Sequence, residues 1–479
     1  MRTFALVACL ALPAAVAAQT PALTRADSSL VGRVLLAEDR RDAGDPALAQ
    51  AEQSADARIR NIAWRARARI ADPKFTARDS LPPLPAPPVW PEPAWRLRFR
   101  ALTAQRNDCT ALRTALGDSA WAVRLQAADL VGASCASDDG IAQALRGWVD
   151  ALPADASSRR AGQVSWHAAA HALVALSRIR PADARPRLAR LATHAQWEAR
   201  MYAARAAGAL SDSATLRVLA RDRNDDVRET AIAALGKLTK HADDELFIDA
   251  LDANGAPVVR AAAMALKGSP NPDAARAANA AFERWVAKNN ASAHDVRAAL
   301  LAAAGRPITD DQPPAVHAGL PPRAVALALG ADVRLRVTMA PSSGGGSFVV
   351  HLRGDIAPMM AARILELARG RYYDGLTWHR VEPDFVIQGG SPGANEYVGL
   401  PQAIRDELGN VPHVRGTIGM STRGHDTGDA QWFINLRDNP RLGADYTVFA
   451  EVVDGIDVVD GILEGDTIES IREVRPPAG

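Results

Sequence analysis

From about residue 26 to residue 305 apolar positions recur at spacings of three and four with little β-branched alternation, a period that predicts a long run of amphipathic helices. One phrase returns within it. Val123-Arg124 is followed, eight positions after the arginine, by Gly132; Ala199-Arg200 leads in the same way to Gly208, Val227-Arg228 to Gly236, Val259-Arg260 to Gly268 and Val296-Arg297 to Gly305. Degenerate copies sit at Arg58, Arg96 and His167, with Ala66, Ala104 and Ala175 in the glycine place. Successive copies lie 28–43 residues apart, the length of one helix pair, so a stack of repeats is expected. Aspartates before the phrase suit a helix start, and the glycine is expected to end the helix in a left-handed C-cap. Leu81–Pro91 interrupts the run with a polyproline-like segment, read as a rigid connector between repeats in preference to an exposed ligand for another domain.

The texture changes after residue 305. Residues 306–322 hold five prolines and no helical period, and read as a linker. From 323 to 479 the chain breaks into short β-patterned runs separated by glycines. Asp332–Val337 and Ser347–Leu352 are expected to pair across Gly344-Gly345-Gly346, and a helix is expected over Ala357–Arg369 with Pro358 in its first turn. Composition sharpens the division: 82 of the 99 alanines lie in residues 1–305, whereas 22 of the 34 glycines lie beyond, so two architectures are joined end to end. A net charge of +1 supplies no field to gather nucleic acid or an anionic membrane.

Residues 1–18 have the pattern of a secretory signal peptide: Arg2, an apolar run from Phe4 to Val16, then small residues before Gln19. A periplasmic or secreted location is therefore expected. Leu6-Val7-Ala8-Cys9 has the look of a lipobox, but the apolar run continues past it, which disfavours a lipid anchor. Beyond the leader stand Cys109 and Cys135, each at a helix end that an antiparallel hairpin brings together; a disulfide is expected, with two free thiols as the alternative.

The repeated phrase resembles HEAT-type repeats, in which stacked helix pairs curve around a concave surface. That resemblance implies a scaffold for a client or protein partner, with a spacer or dimerising element as the plainer reading. His167 and His171 stand one helical turn apart, but no third ligand at a recognisable spacing supports a metal.

The run Tyr372–Gly390, YYDGLTWHRVEPDFVIQGG, resembles the signature of the cyclophilin family, and the blocks Arg415–Met420 with Thr427–Ile434, and Leu442–Val452 with Gly455–Asp460, agree in order. The resemblance implies an eight-stranded antiparallel β-barrel with two helices, so the whole is expected to be an all-α HEAT-like solenoid followed by a mainly-β barrel. It implies peptidyl-prolyl cis–trans isomerisation of proline-containing polypeptides, without cofactor or metal. Arg380, Gln388 and Phe385 would form the catalytic set, with Arg380 donating to the prolyl carbonyl oxygen and then toward the prolyl nitrogen. Phe385, Val386, Phe433 and Leu442 would hold the proline ring and Tyr446 its rim; Gln388 would hold a substrate carbonyl, Gln431 would support Arg380, and Ser421 and Thr422 would form the strand edge along the substrate backbone. His379 is expected to support structure, since this isomerisation needs no acid–base step.

The family pattern is departed from at Arg441, where many eukaryotic members have Trp, which puts strong cyclosporin binding in doubt; at Tyr446, which replaces a histidine; at Ser421-Thr422, which replaces Ala-Asn; and in a shortened loop, Ser391–Glu396. A proline-peptide binding protein or adaptor without useful catalysis is the alternative reading.

Overall fold

The computed structural model describes residues 23–72, 84–152, 166–311 and 319–474. The leader pattern of residues 1–18 lies outside these, as do 312–318 of the linker. Sixteen helices precede the barrel among the described residues: α1 (Arg25–Arg40), α2 (Pro46–Glu52), α3 (Ala57–Ala71), α4 (Ala94–Ala104), α5 (Cys109–Ala115), α6 (Trp121–Leu130), α7 (Asp139–Asp150), α8 (Trp166–Ile179), α9 (Pro181–Ala192), α10 (Trp197–Ala209), α11 (Ser213–Leu219), α12 (Asp225–Thr239), α13 (Asp244–Ala250), α14 (Ala256–Leu266), α15 (Pro272–Ala287) and α16 (His294–Ala303). From α4 onward the even-numbered helices pack each on the next in a continuous row, and odd-numbered helices flank them. Many of these helices start where a side chain accepts backbone N–H groups: Asp108 for α5, Asp138 for α7, Asp212 for α11 and Asn224 for α12.

The recurring arginine ties neighbouring connections together. Arg200, buried, grips Asp222 with two hydrogen bonds of 2.7 and 2.8 Å and donates to the His194 carbonyl; Arg297, also buried, donates once to Asp311 at 2.7 Å and to the Asn290 carbonyl. A planar guanidinium suits such a joint because its fork satisfies several acceptors while its charge stays paired. The expected glycine C-caps are found at only two places, Gly268 (φ +75°) and Gly305 (φ +72°). Gly208 and Gly236 instead lie inside α10 and α12, where an added Cβ would stand 3.3 and 3.0 Å from the Cβ atoms of Ala234 and Ala265 on the next helix. In those repeats the small residue serves close helix approach. Cys109 and Cys135 are joined as a disulfide.

The helices of 26–305 distribute between two cores. Those from α4 to α16 share one, whereas α1–α3 contribute Val31, Leu35, Ile59 and Ile62 to the same core as the barrel. Arg69 completes that joint: buried, it pairs with Glu38 and donates to the carbonyls of Ile356, Glu407 and Leu408. The proline-rich connector runs over the barrel, with the Pro85 carbonyl accepting from Arg353, Trp90 donating to the Val452 carbonyl and the Pro91 carbonyl accepting from Arg415.

The C-terminal part is one antiparallel sheet of nine strands: β1 (Arg334–Met339), β2 (Ser347–Leu352), β3 (Thr377–Trp378), β4 (Arg380–Val381), β5 (Val386–Gly389), β6 (Thr417–Met420), β7 (Trp432–Asn435), β8 (Val448–Asp454) and β9 (Asp466–Val474), in the order β3-β9-β1-β2-β8-β6-β7-β5-β4. The count is nine against the eight expected because His379 divides one extended stretch. Its first half pairs with β9 and its second with β5, the two ends of the sheet, so Thr377–Val381 is the seam that closes the barrel. β1 and β2 form the expected hairpin, whose three turn glycines all have positive φ. The helices α17 (Ala324–Ala328), α18 (Pro358–Arg369) and α19 (Ile456–Asp460) accompany the sheet. Among the described residues no helix is long and apolar enough to cross a membrane.

Candidate active site

Alternation along β5 and β7 builds the site. Ile387, Trp432 and Ile434 enter the barrel core, which leaves Val386, Gln388 and Phe433 on the other face. Register then aligns four residues in a row across the sheet: Arg380 opposite Gln388, Gln388 opposite Phe433, and Phe433 opposite Gly419. Directly paired positions share a face at about 5 Å, so an arginine, an amide and an aromatic ring stand side by side. Gly419 ends the row because the Phe433 ring lies where its Cβ would be.

Val386, Phe433 and Leu442 form a small apolar cluster of their own, with Phe385 and Tyr446 packed on it. Tyr446 meets Phe433 edge-on (centroids 5.5 Å apart), and His413 lies nearly parallel to the same ring at 5.8 Å. Two cations flank Phe385: the guanidinium carbons lie 6.0 Å (Arg380) and 4.8 Å (Arg441) from its centroid. Arg380 itself is 44% exposed, and the carboxylate beside it, Glu382, is 3.9 Å away. A cation with so little neutralisation is available to a ligand.

Gln388 is buried and donates to Gln431 Oε1 at 3.3 Å; Gln431 spends its own amide hydrogens on the carbonyls of Glu396 and Val398. Gln431, expected to support Arg380, is hydrogen-bonded instead to Gln388, which it accepts through Oε1, and to the short loop, so in this structure it stands behind Gln388 rather than directly on the guanidinium. Ser421 and Thr422 follow β6 at the end of the row, partly exposed, and the Ser421 amide is engaged with the Gln431 carbonyl. Burial, then the neighbouring Arg380 charge, pushes His379 down to about 4, so it is a neutral imidazole at ordinary pH.

Other residues that set this geometry were not singled out from the sequence. Asp429, buried, accepts from the backbone amides of Ala430 and Gln431 and from Leu400 N and Ser292 Oγ, which links the catalytic strand to the repeat region. Asn395 organises the shortened loop by accepting from the amides of Tyr397 and Val398, and donates to Asp226 of α12 at 2.8 Å. His167 and His171, the pair the sequence does single out for its spacing, line this side as well: His167 meets the Glu464 carbonyl, and His171 lies between Asp129 and the Tyr202 hydroxyl. Only the interior glycine of the Thr417–Met420 strand carried a sequence signal of close approach.

Fold and site together define an antiparallel β-barrel that carries an exposed guanidinium, an oriented amide and an apolar aromatic cluster side by side on one face. The model of the family described as cyclophilin type peptidyl-prolyl cis-trans isomerase/CLD matches residues 336–477. A peptidyl-prolyl cis-trans isomerase of Helicobacter pylori is 37% identical over 130 residues, 26% of this chain and 80% of that protein. Peptidyl-prolyl cis-trans isomerase B of Bacillus subtilis is 35% identical over 130 residues, 27% of this chain and 91% of its own. The crystal structure of a cyclophilin type isomerase from Cryptosporidium parvum aligns over 31% of this chain and 100% of its own, at 21% identity and a TM-score of 0.29. Through its C-terminal barrel the chain belongs to the cyclophilin-type peptidyl-prolyl cis-trans isomerases.

Proposed function

We propose that the protein is an exported peptidyl-prolyl isomerase whose chemistry rests on Arg380 and whose helical repeats bind the client polypeptide or a partner. The observation that carries this reading is the aligned row Arg380, Gln388 and Phe433 beside the Phe385, Val386, Leu442 and Tyr446 pocket. Amide resonance sets the barrier at about 18–20 kcal/mol. With the proline ring on Phe433, Arg380 donates to the prolyl carbonyl oxygen and, as the bond twists, toward the nitrogen whose lone pair is becoming localised. Gln388, fixed by Gln431, holds a substrate carbonyl; Ser421 and Thr422 lie along the peptide. Both Arg380 contacts strengthen toward the twisted state, the condition for catalysis. Acceleration by about 10⁵ corresponds to roughly 7 kcal/mol, within reach of charge-assisted hydrogen bonds in a partly desolvated site.

Export is supported by the apolar leader pattern and by the Cys109–Cys135 disulfide, a bond that persists in oxidising compartments. Mass spectrometry of the protein from its native cell envelope is expected to find an N-terminus at Ala18 or Gln19; a cytosolic protein retaining Met1 would refute export. A protease-coupled assay on an Ala-Pro peptide tests the chemistry. Isomerisation by the native chain that Arg380→Ala abolishes, with peptide binding retained, supports it, whereas binding without any acceleration by the native chain makes the protein an adaptor.

A further inference from the structure

Where α6, α8, α10 and α12 come round to the barrel they enclose a cleft of about 610 Å³, whose other wall is Arg380 with the segments 377–383, 394–397 and 463–465. Arg380 therefore borders two spaces, the proline pocket through Phe385 and this cleft. A polypeptide seated in the pocket and touching Arg380 has its continuation directed between barrel and repeats.

The walls have a definite chemistry. Four carboxylates come from the repeats (Asp129, Glu198, Asp226, Glu229) and three from the barrel (Glu382, Glu396, Glu464), against the guanidinium groups of Arg205 and Arg380. Arg205 lies over the Tyr202 ring, 4.2 Å from its centroid. Burial pushes Glu198, Asp226 and Glu229 up to about 7; of the three, Asp226 accepts from Asn395 and Glu229 is paired with Arg260 at 3.4 Å. Trp197 and Tyr202 add aromatic surface, and Thr377, whose buried hydroxyl has no hydrogen-bond partner, stands on the barrel side. Carboxylates beside aromatic rings are the pairing that takes an ammonium or guanidinium group.

We infer that the face of the repeats formed by α6, α8, α10 and α12 is the second wall of the substrate cleft, and that it selects clients carrying lysine or arginine close to the isomerised proline. This rests on the isomerase reading of Arg380 and its pocket. The repeats then act in substrate choice within one chain, and the barrel alone would lack that preference.

Labelled peptides with one Ala-Pro core, flanked by Lys, Gln or Glu, are titrated by fluorescence polarisation into the full chain, into Asp129→Asn/Glu229→Gln and into Asp273→Asn on α15, away from the cleft. The Lys-flanked peptide is expected to bind about tenfold more tightly than the Glu-flanked one at low salt, and the gap to shrink in high salt. The double variant is expected to reduce that ratio to about threefold or less, and Asp273→Asn to keep it. Glu382→Gln, at an exposed position, gives the same test if the double variant does not fold. Equal affinities in the native chain, or an unchanged ratio in the cleft variants, overturn the inference. Isomerisation of the Gln-flanked peptide in the same samples reports separately on the isomerase reading: no acceleration with the Lys preference intact would remove that reading and leave the cleft assignment standing.

Discussion

Gly419 is the least conspicuous residue of the catalytic row and gives its sharpest steric test. In Gly419→Ala the new methyl group would occupy the Phe433 ring position, and the ring has little room to retreat, with Tyr446 edge-on at 5.5 Å and His413 parallel to it at 5.8 Å. Phe433 is buried, so it must either push β6 outward or tilt into the proline pocket. Overpacking of this kind costs about 1–3 kcal/mol of stability. A ring tilted into the pocket also displaces the substrate proline, whose burial is worth about 1.5–3 kcal/mol, and each 1.4 kcal/mol is tenfold in rate. A fall in kcat/KM of roughly 10- to 100-fold is therefore expected by exchange spectroscopy on an Ala-Pro peptide, with a lower urea midpoint. Native activity together with native stability would refute the packing of Gly419 against Phe433.

Further outcomes concern the repeats and their joint with the barrel. Gly147 lies exposed within α7 with open space where a Cβ would be, so Gly147→Ala is expected to stabilise the protein by about 0.5–1 kcal/mol in thermal unfolding; a lower midpoint would contradict that environment. Reduction of Cys109–Cys135, which closes a loop of 26 residues, is expected to lower stability by about 3.5 kcal/mol, and two thiols alkylated without reductant would show the bond absent. Glu198, buried, titrates at about 7 in the fold against 4.5 when free, so its protonated form is the favoured one. Its contribution is complete below about pH 4.5 and is lost as pH rises through about 7, by up to about 3 kcal/mol. Glu198→Gln should thus raise the unfolding midpoint at pH 8 and change it little at pH 4, and equal effects at both would refute the assigned burial.

Local pattern carried much of this structure. The three-and-four spacing, the recurring arginine and the β-patterned runs that pair across Gly344-Gly345-Gly346 are properties of neighbouring residues, and each survives into the fold. What the pattern did not disclose depends on residues far apart in the chain. The amphipathic face of α1–α3 looks like any repeat face, yet its partners are Leu327, Ile356 and Met360. Gly208 and Gly268 stand in the same place of the phrase, but one approaches the next helix and the other turns the chain, a difference set by helix length. His379 divides a strand only because the two halves of that strand meet opposite sheet edges. The anchoring of Gln431 was not legible because it depends on the loop carbonyls of Glu396 and Val398, whose position no motif states.

The Arg380 claim is most directly tested at equilibrium. Exchange spectroscopy on a peptide with one Ala-Pro bond compares cis–trans interconversion in buffer, with the native chain and with Arg380→Ala. Acceleration by the native chain that drops by about 10²-fold or more in the variant is expected, as for loss of a donor aimed at transition-state charge, while chemical-shift perturbations still report peptide in the Phe433 pocket. Equal exchange rates for native and variant protein would contradict it.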